Sequence, residues 1–199
     1  MKRRDQFSAK SHVLEVALQP QLLTYDPERL DQWKAGRRET CSDPYCRKLP
    51  GTTGFGEFLA GQFFEEHGYR WIHHDFDIFG SNRPSKYPRS EAVLLEFFGS
   101  ERLVGARSIC KAFRPFRAAP EAPDLLVYRT GELRFAECKR TDTRDRLNQR
   151  QLLGLILISA VFGCPVDLFV VTPRDRVTIP DPIRMLLSKR RLTDQRTTR

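Results

Sequence analysis

Glu137 and Lys139 fall inside Leu133-Arg134-Phe135-Ala136-Glu137-Cys138-Lys139, a run otherwise suited to a buried strand, and Asp124 stands directly ahead of another apolar run at 125–128. Side chains alternate faces along a strand, so Phe135, Glu137 and Lys139 point one way while Ala136 and Cys138 point the other. A carboxylate and an ammonium on one buried face are costly unless something neutralises them. A divalent metal held by Asp124 and Glu137 would do so. Lys139 would then stand beside the ion, either as a cation or, with a lowered pKa, as a base.

Positioning these groups takes a β-hairpin. The runs 125–128 and 133–139 flank Arg129-Thr130-Gly131-Glu132, whose glycine suits a tight turn. Upstream, Gly51-Thr52-Thr53-Gly54-Phe55-Gly56 opens a helix over about 56–67, with Thr52 or Thr53 as cap and Gly68 as stop. The loop lacks the Lys-Ser/Thr ending of a phosphate-binding P-loop. Glu57 lies in the first turn of that helix, as a partner of the helix dipole or as a further carboxylate aimed at the hairpin. Residues 69–78 alternate as a strand, in which His73, Asp75 and Asp77 share a face. A metal set and a solvent-facing polar edge both fit them.

Beyond the hairpin, Thr141-Asp142-Thr143-Arg144-Asp145-Arg146 is a charged loop, and Asp145 is placed to cap a helix over about 147–162. That helix is apolar nearly all round and is expected to be buried, with Gln151 near its start. Residues 166–172 are apolar on both faces, as an interior strand is. A helix joining two neighbouring strands implies a β-α-β unit with a right-handed crossover.

The chain has 199 residues, enough for one domain with a real core. Hydrophobic residues at 40% and charged ones at 30% describe a soluble globular protein. No apolar run is long enough to span a bilayer and no signal core follows the charged start, so no membrane partner is expected. The net charge of +9 points to a polyanionic partner, nucleic acid first, against the plainer reading of a basic soluble enzyme. Five cysteines in no disulfide pattern favour a reducing, cytoplasmic setting. Cys41 and Cys46 are at most half of a zinc site.

Residues 1–50 read as an extension: an arm or short helix over 1–20, then a helix started by Pro27, with Trp33 and Tyr45 as packing residues. Residues 79–121 read as an insertion or linker with helical patterns at 91–98 and 101–111. It ends in Lys111-Ala112-Phe113-Arg114-Pro115-Phe116-Arg117, where cations alternate with aromatics. That mixture suits phosphate contact with base stacking, and equally a helix exit whose Phe side chains plug the core. Residues 174–199 are a basic tail, with a helix over 182–192.

The order helix, strand, hairpin, helix, strand, with Pro123-Asp124 and Glu137-Cys138-Lys139 at the hairpin, resembles the PD-(D/E)xK nuclease superfamily. Pro123-Asp124-Leu125, Glu137-Cys138-Lys139, Asp145-Arg146-Leu147 and Gln151 bring it closest to the VRR-NUC (virus-type replication–repair nuclease) branch. Gly56-Glu57-Phe58-Leu59-Ala60 resembles the first helix of endonuclease-like members. The likeness covers roughly 51–78 and 122–172. The long insertion, and the absence of a glycine after Lys139, depart from it.

The resemblance implies an α/β, restriction-endonuclease-like core (α-β-β-β-α-β, a mixed central sheet flanked by helices) over 51–173, with an inserted helical segment at 79–121. It implies a Mg2+ (or Mn2+)-dependent nuclease with Asp124, Glu137, Lys139, Gln151 and Glu57 as catalytic residues. Asp124, Glu137 and the backbone carbonyl of Cys138 would hold the metal. Lys111, Arg114, Arg117, Arg140, Arg144 and Arg146 would contact nucleic acid, DNA ahead of RNA, in repair, replication or recombination. A homodimer, a non-catalytic binding module on the same fold and an RNA-directed nuclease stay open.

Overall fold

The computed structural model describes residues 13–112, 119–177 and 183–188, of which 13–17, 84 and 183–188 by backbone alone. In chain order its elements are β1 (Val13–Leu18), β2 (Gln21–Tyr25), α1 (Pro27–Lys34), α2 (Phe55–Glu66), β3 (Arg70–His73), α3 (Pro88–Phe98) and α4 (Ser100–Ala112). There follow β4 (Leu125–Arg129), β5 (Glu132–Arg140), α5 (Gln149–Leu157), β6 (Val166–Pro173) and β7 (Ile183–Ser188). Five strands form one mixed sheet in the order β2-β6-β5-β4-β3. β3 pairs antiparallel with β4 and β4 antiparallel with β5, whereas β6 is parallel to both β5 and β2. Helices cover both faces, so the architecture is α/β. Among the described residues no helix is long and apolar enough to cross a membrane.

Strand alternation sorts the core into two layers. Leu125, Val127, Ala136 and Cys138 pack under α1 and α2, with Trp33, Phe55, Phe58 and Trp71. Leu126, Leu133 and Phe135 pack on the other side, with Leu94 and Phe98 of α3, Leu103 of α4 and Leu153 and Leu157 of α5. The stretch 79–121, expected as an insertion or linker, thus supplies part of the second layer. Glu137 and Lys139 continue the parity of Leu133 and Phe135 and so face the α5 side. The hairpin turns through Thr130-Gly131, between the paired Arg129 and Glu132, and Gly131 takes the positive φ of 76° that such a turn needs.

Several boundaries differ from expectation. The strand predicted over 69–78 stops at His73, because His74 turns left-handed (φ 56°) and donates its N–H to the carbonyl of Asp124 at 3.2 Å. Phe76 and Ile78 then drop into the second core layer, so Asp75 and Asp77 do not continue a shared strand face with His73. α2 starts at a left-handed Gly54 with no side-chain cap, so neither Thr52 nor Thr53 has that role. α5 starts at Gln149 because Asn148 caps it, not Asp145, and it continues into a π-helical turn, Ile158–Phe162. Residues 13–18, expected in an arm or short helix, form a strand that pairs antiparallel with 183–188, where a helix was expected. β2 adds a fifth strand beside β6. The expectations for 1–12, the aromatic–cation run at 113–118, and 178–182 and 189–199 of the tail fall outside the described residues.

Two helical glycines separate packing from helix propensity. In α5, a Cβ on Gly154 would lie 1.9 Å from the carbonyl oxygen of Glu121, whose N–H donates to Arg150 O at 3.1 Å. That close approach lays the segment leading into Asp124 along α5. Gly105 in α4 has open space around it. We expect Gly105→Ala to stabilise by about 0.5–1 kcal/mol, the helix gain alone. Gly154→Ala should destabilise by about 1–3 kcal/mol, because backbone must move. Urea denaturation midpoints shifting in opposite directions would bear this out, whereas a gain for both would refute the packing role of Gly154.

Candidate active site

Glu137 has no solvent exposure and Lys139 has 8%. The Lys139 ammonium lies 2.8 Å from Glu137 Oε1 and 3.1 Å from each carboxylate oxygen of Asp145. Gln151 donates Nε2–H to Glu137 Oε1 at 2.7 Å. Its amide is oriented by the helix start. Asn148 Oδ1 accepts from the N–H groups of Arg150 and Gln151, and Gln151 Oε1 accepts in return from the Asn148 N–H at 3.1 Å. This reciprocal cap commits the amide oxygen to the backbone and leaves the amide nitrogen for Glu137. Glu137 Oε2 remains buried without a hydrogen-bond partner.

The hairpin register brings Asp124 to the same place. Leu125 is paired with Ala136, so one step further Asp124 falls opposite Glu137 and on the same face. Asp124 Oδ2 accepts from the Cys138 N–H at 2.8 Å. Because the N–H and C=O of one strand residue point to the same side, the Cys138 carbonyl is directed there too. The Cys138 thiol points the other way, into the first core layer, and burial pushes its pKa well up.

Burial and the charge of Glu57 push the Asp124 carboxyl up to about 7, against the pull of the Cys138 N–H and Lys139. Burial and the charge of Asp124 push Glu137 up to about 9. The Glu137 carboxylate in turn raises Lys139, which overcomes the opposing effect of burial. The ammonium at 2.8 Å favours the charged form of Glu137 and pulls against the upward shift of both carboxyls. Lys139 is accordingly an ammonium, and the option of a lowered pKa and a base role drops out.

Glu57 reaches the site from the first turn of α2. Its carboxylate lies 3.7 Å from Nε2 of His73, too long for a hydrogen bond. Burial lifts the Glu57 pKa and the neighbouring His73 more than offsets this, so Glu57 is held below the usual range. Asp124, Glu137, Lys139 and Gln151 therefore meet at one end of β4 and β5, while Glu57 comes from the α2 side and acts electrostatically on Asp124. Sequence reasoning missed the clamp of Asp145 on Lys139 and the Asn148 cap. The cap was signalled by Asn148-Arg150-Gln151 spacing, an Asn three residues before a Gln.

The basic set is more dispersed. Lys111 is exposed at the end of α4, and Arg144 and Arg146 are exposed on the loop that carries Asp145. Arg140 is drawn inward: it pairs with Asp142 at 2.5 Å, donates to Thr52 O at 2.9 Å and lies over the Phe55 ring. It ties β5 to the start of α2 and is not a loose cation for a ligand. Arg114 and Arg117 lie outside the described residues.

Asp124, the orphaned Glu137 Oε2 and the Cys138 carbonyl are the oxygen donors that would hold Mg2+, with waters completing its shell. Among the described residues no three His, Cys, Asp or Glu side chains converge as ligands. A site of two carboxylates and one carbonyl does not require a third such side chain. No family model, curated protein or solved structure matches this chain.

Asp124 yields a pH prediction. Its folded pKa of about 7 lies above the unfolded value near 3.8, so the folded state binds the proton more tightly. Without a cation, stability is then highest below the unfolded pKa, falls as pH rises through the interval, and is fully reduced above the folded pKa. In EDTA the thermal midpoint of the wild type should fall between pH 4 and 7, and Asp124→Asn should flatten that fall and be about 1–2 kcal/mol more stable at pH 8. A wild type equally stable across this range would contradict the assignment.

Proposed function

We propose that this chain is a metal-dependent nuclease that hydrolyses phosphodiester bonds, with DNA as its first substrate and structure-selective action in repair, replication or recombination as its setting. The observation that carries the reading is the hairpin register, which sets Asp124 opposite Glu137 with Lys139 on the same face and Gln151 hydrogen-bonded to Glu137. The succession α2, β3, β4, β5, α5, β6 follows the helix–strand–hairpin–helix–strand order of the PD-(D/E)xK resemblance and supports a restriction-endonuclease-like core.

Asp124, Glu137 and the Cys138 carbonyl would hold Mg2+ (or Mn2+). Such an ion supplies charge neutralisation at the phosphate and a more acidic bound water. The rest is done by side chains. Lys139, held as an ammonium, offers Nζ to the phosphate oxygens on which negative charge grows. Its contact with Glu137 is buried and fixed. Its contact with Asp145, half exposed at 49%, is the exchangeable one, so a phosphate takes the place of that carboxylate without leaving the ammonium unpaired. Gln151 keeps Glu137 Oε1 engaged and so leaves Oε2, which has no protein partner, to face an ion. Lys111, Arg144 and Arg146 supply sequence-independent backbone contacts.

The test is cutting of plasmid, single-stranded and branched DNA, and of RNA, with Mg2+, Mn2+ or EDTA. Wild type should cut with a divalent ion and not in EDTA. Asp124→Asn, Glu137→Gln and Lys139→Ala should each lower kcat/KM by about 10²–10³ or more. Gln151→Ala should lower it by about 10–100-fold. Binding without cutting by wild type under every condition would favour a non-catalytic nucleic-acid-binding module. Cutting that survives Asp124→Asn and Lys139→Ala would place the active site elsewhere.

A further inference from the structure

His73 is the last residue of β3, is 1% exposed, and has no hydrogen-bond partner for either ring nitrogen. A neutral imidazole has one donor and one acceptor, and burying both unpaired is unfavourable. Its ring packs against those of His74, with centroids 4.4 Å apart, and Tyr45, 5.6 Å apart. The charged group facing Nε2 is Glu57, whose Oε1 is 3.7 Å away. That gap does not suit a hydrogen bond. It does suit two ligands of one ion, since atoms each about 2.1 Å from a shared metal stand roughly 3–4 Å apart.

We infer that Glu57 and His73 form a second cation subsite, beside the Asp124–Glu137 pair, for a divalent first-row transition-metal ion. It rests on the nuclease reading for its purpose, but its geometry stands without it. Glu57 is partly exposed, at 20%, and leaves an approach for the ion and its waters, whereas His73 presents its nitrogen from the closed side. Mg2+ prefers oxygen and disfavours this mixed pair, while first-row transition ions, from Mn2+ with growing affinity along the series, accept imidazole together with carboxylate. Two protein ligands with water completing the shell make a weak, exchangeable site, in keeping with the lack of a third converging side chain among the described residues. Asp124 lies within electrostatic reach of both partners, which links the two subsites.

The test uses Mn2+ as probe on the full chain, read by pulsed electron paramagnetic resonance and by the free-Mn2+ signal during titration. Wild type should bind Mn2+ with the ¹⁴N modulation of a coordinated imidazole. His73→Gln should abolish that modulation, and both His73→Gln and Glu57→Gln should weaken the corresponding binding step by at least about tenfold. His74→Gln should keep the modulation. Circular dichroism checks folding, and if His73→Gln does not fold, Glu57→Gln decides: unchanged nitrogen-coupled binding in it overturns the subsite. Mn2+ bound to wild type without nitrogen coupling, coupling that survives His73→Gln, or no Mn2+ bound at all would each overturn it too. Cutting in Mg2+ alongside any of these keeps the nuclease reading. Nitrogen coupling with no cutting in any ion keeps the subsite and removes the nuclease.

Discussion

Two carboxylates withdrawn from water at the end of one hairpin impose the main constraint on this structure. Glu137 and Asp124 lie on one face, and the ammonium of Lys139 is the nearest compensating charge. That ammonium also faces Asp145, and Glu57 adds its charge from α2. The negative charge of the group therefore exceeds what Lys139 balances. Burial of an unbalanced charge is unfavourable, and it pushes the carboxyl groups of both Asp124 and Glu137 upward. A fold built for stability alone would place apolar residues at these positions.

The surrounding elements are arranged so that the unfavourable group cannot relax. Strand pairing fixes β4 against β5, and with it Asp124 against Glu137. The Cys138 N–H restrains Asp124 from the backbone, and the reciprocal cap of α5 restrains Gln151. Gly154 admits the carbonyl of Glu121 against α5, which sets the approach of the segment into β4. On the other face, Cys138 is locked among the aromatic side chains under α2, so the strand cannot rotate its charged residues outward. Each restraint comes from a different element. Backbone pairing, a helix cap, a close glycine contact and core packing all act on one small group of polar atoms.

Legibility in the sequence followed the range of the forces involved. The hairpin was readable because alternation and Gly131 are local, and with it the shared face of Glu137 and Lys139. Glu57 and Gln151 were readable as positions near helix starts, although their contacts were not. The end of β3 was hidden because the left-handed turn at His74, a residue that only occasionally adopts it, is supported by a carbonyl fifty residues further on. The pairing of 13–18 with 183–188 was hidden for the same reason: neither segment reveals its partner. Arg140 shows the limit of counting charges. Next to Lys139 in a basic chain it reads as a ligand contact, yet Asp142, Thr52 and Phe55 hold it inside the protein.

The protonation of Lys139 narrows the chemistry available at this site. A lysine acts as a base only when its surroundings favour loss of the proton, through apolar burial or a neighbouring cation. Here the neighbours are two carboxylates, and they raise its pKa despite burial. The same contacts that rule out a base make a cation of fixed position, since Glu137 anchors Nζ from the buried side. Asp145 occupies the opposite side, which in the proposed reaction a phosphate oxygen would take over. A group that stays charged and barely moves reorganises little as negative charge develops beside it, which is the condition under which a fixed charge favours a transition state over the ground state.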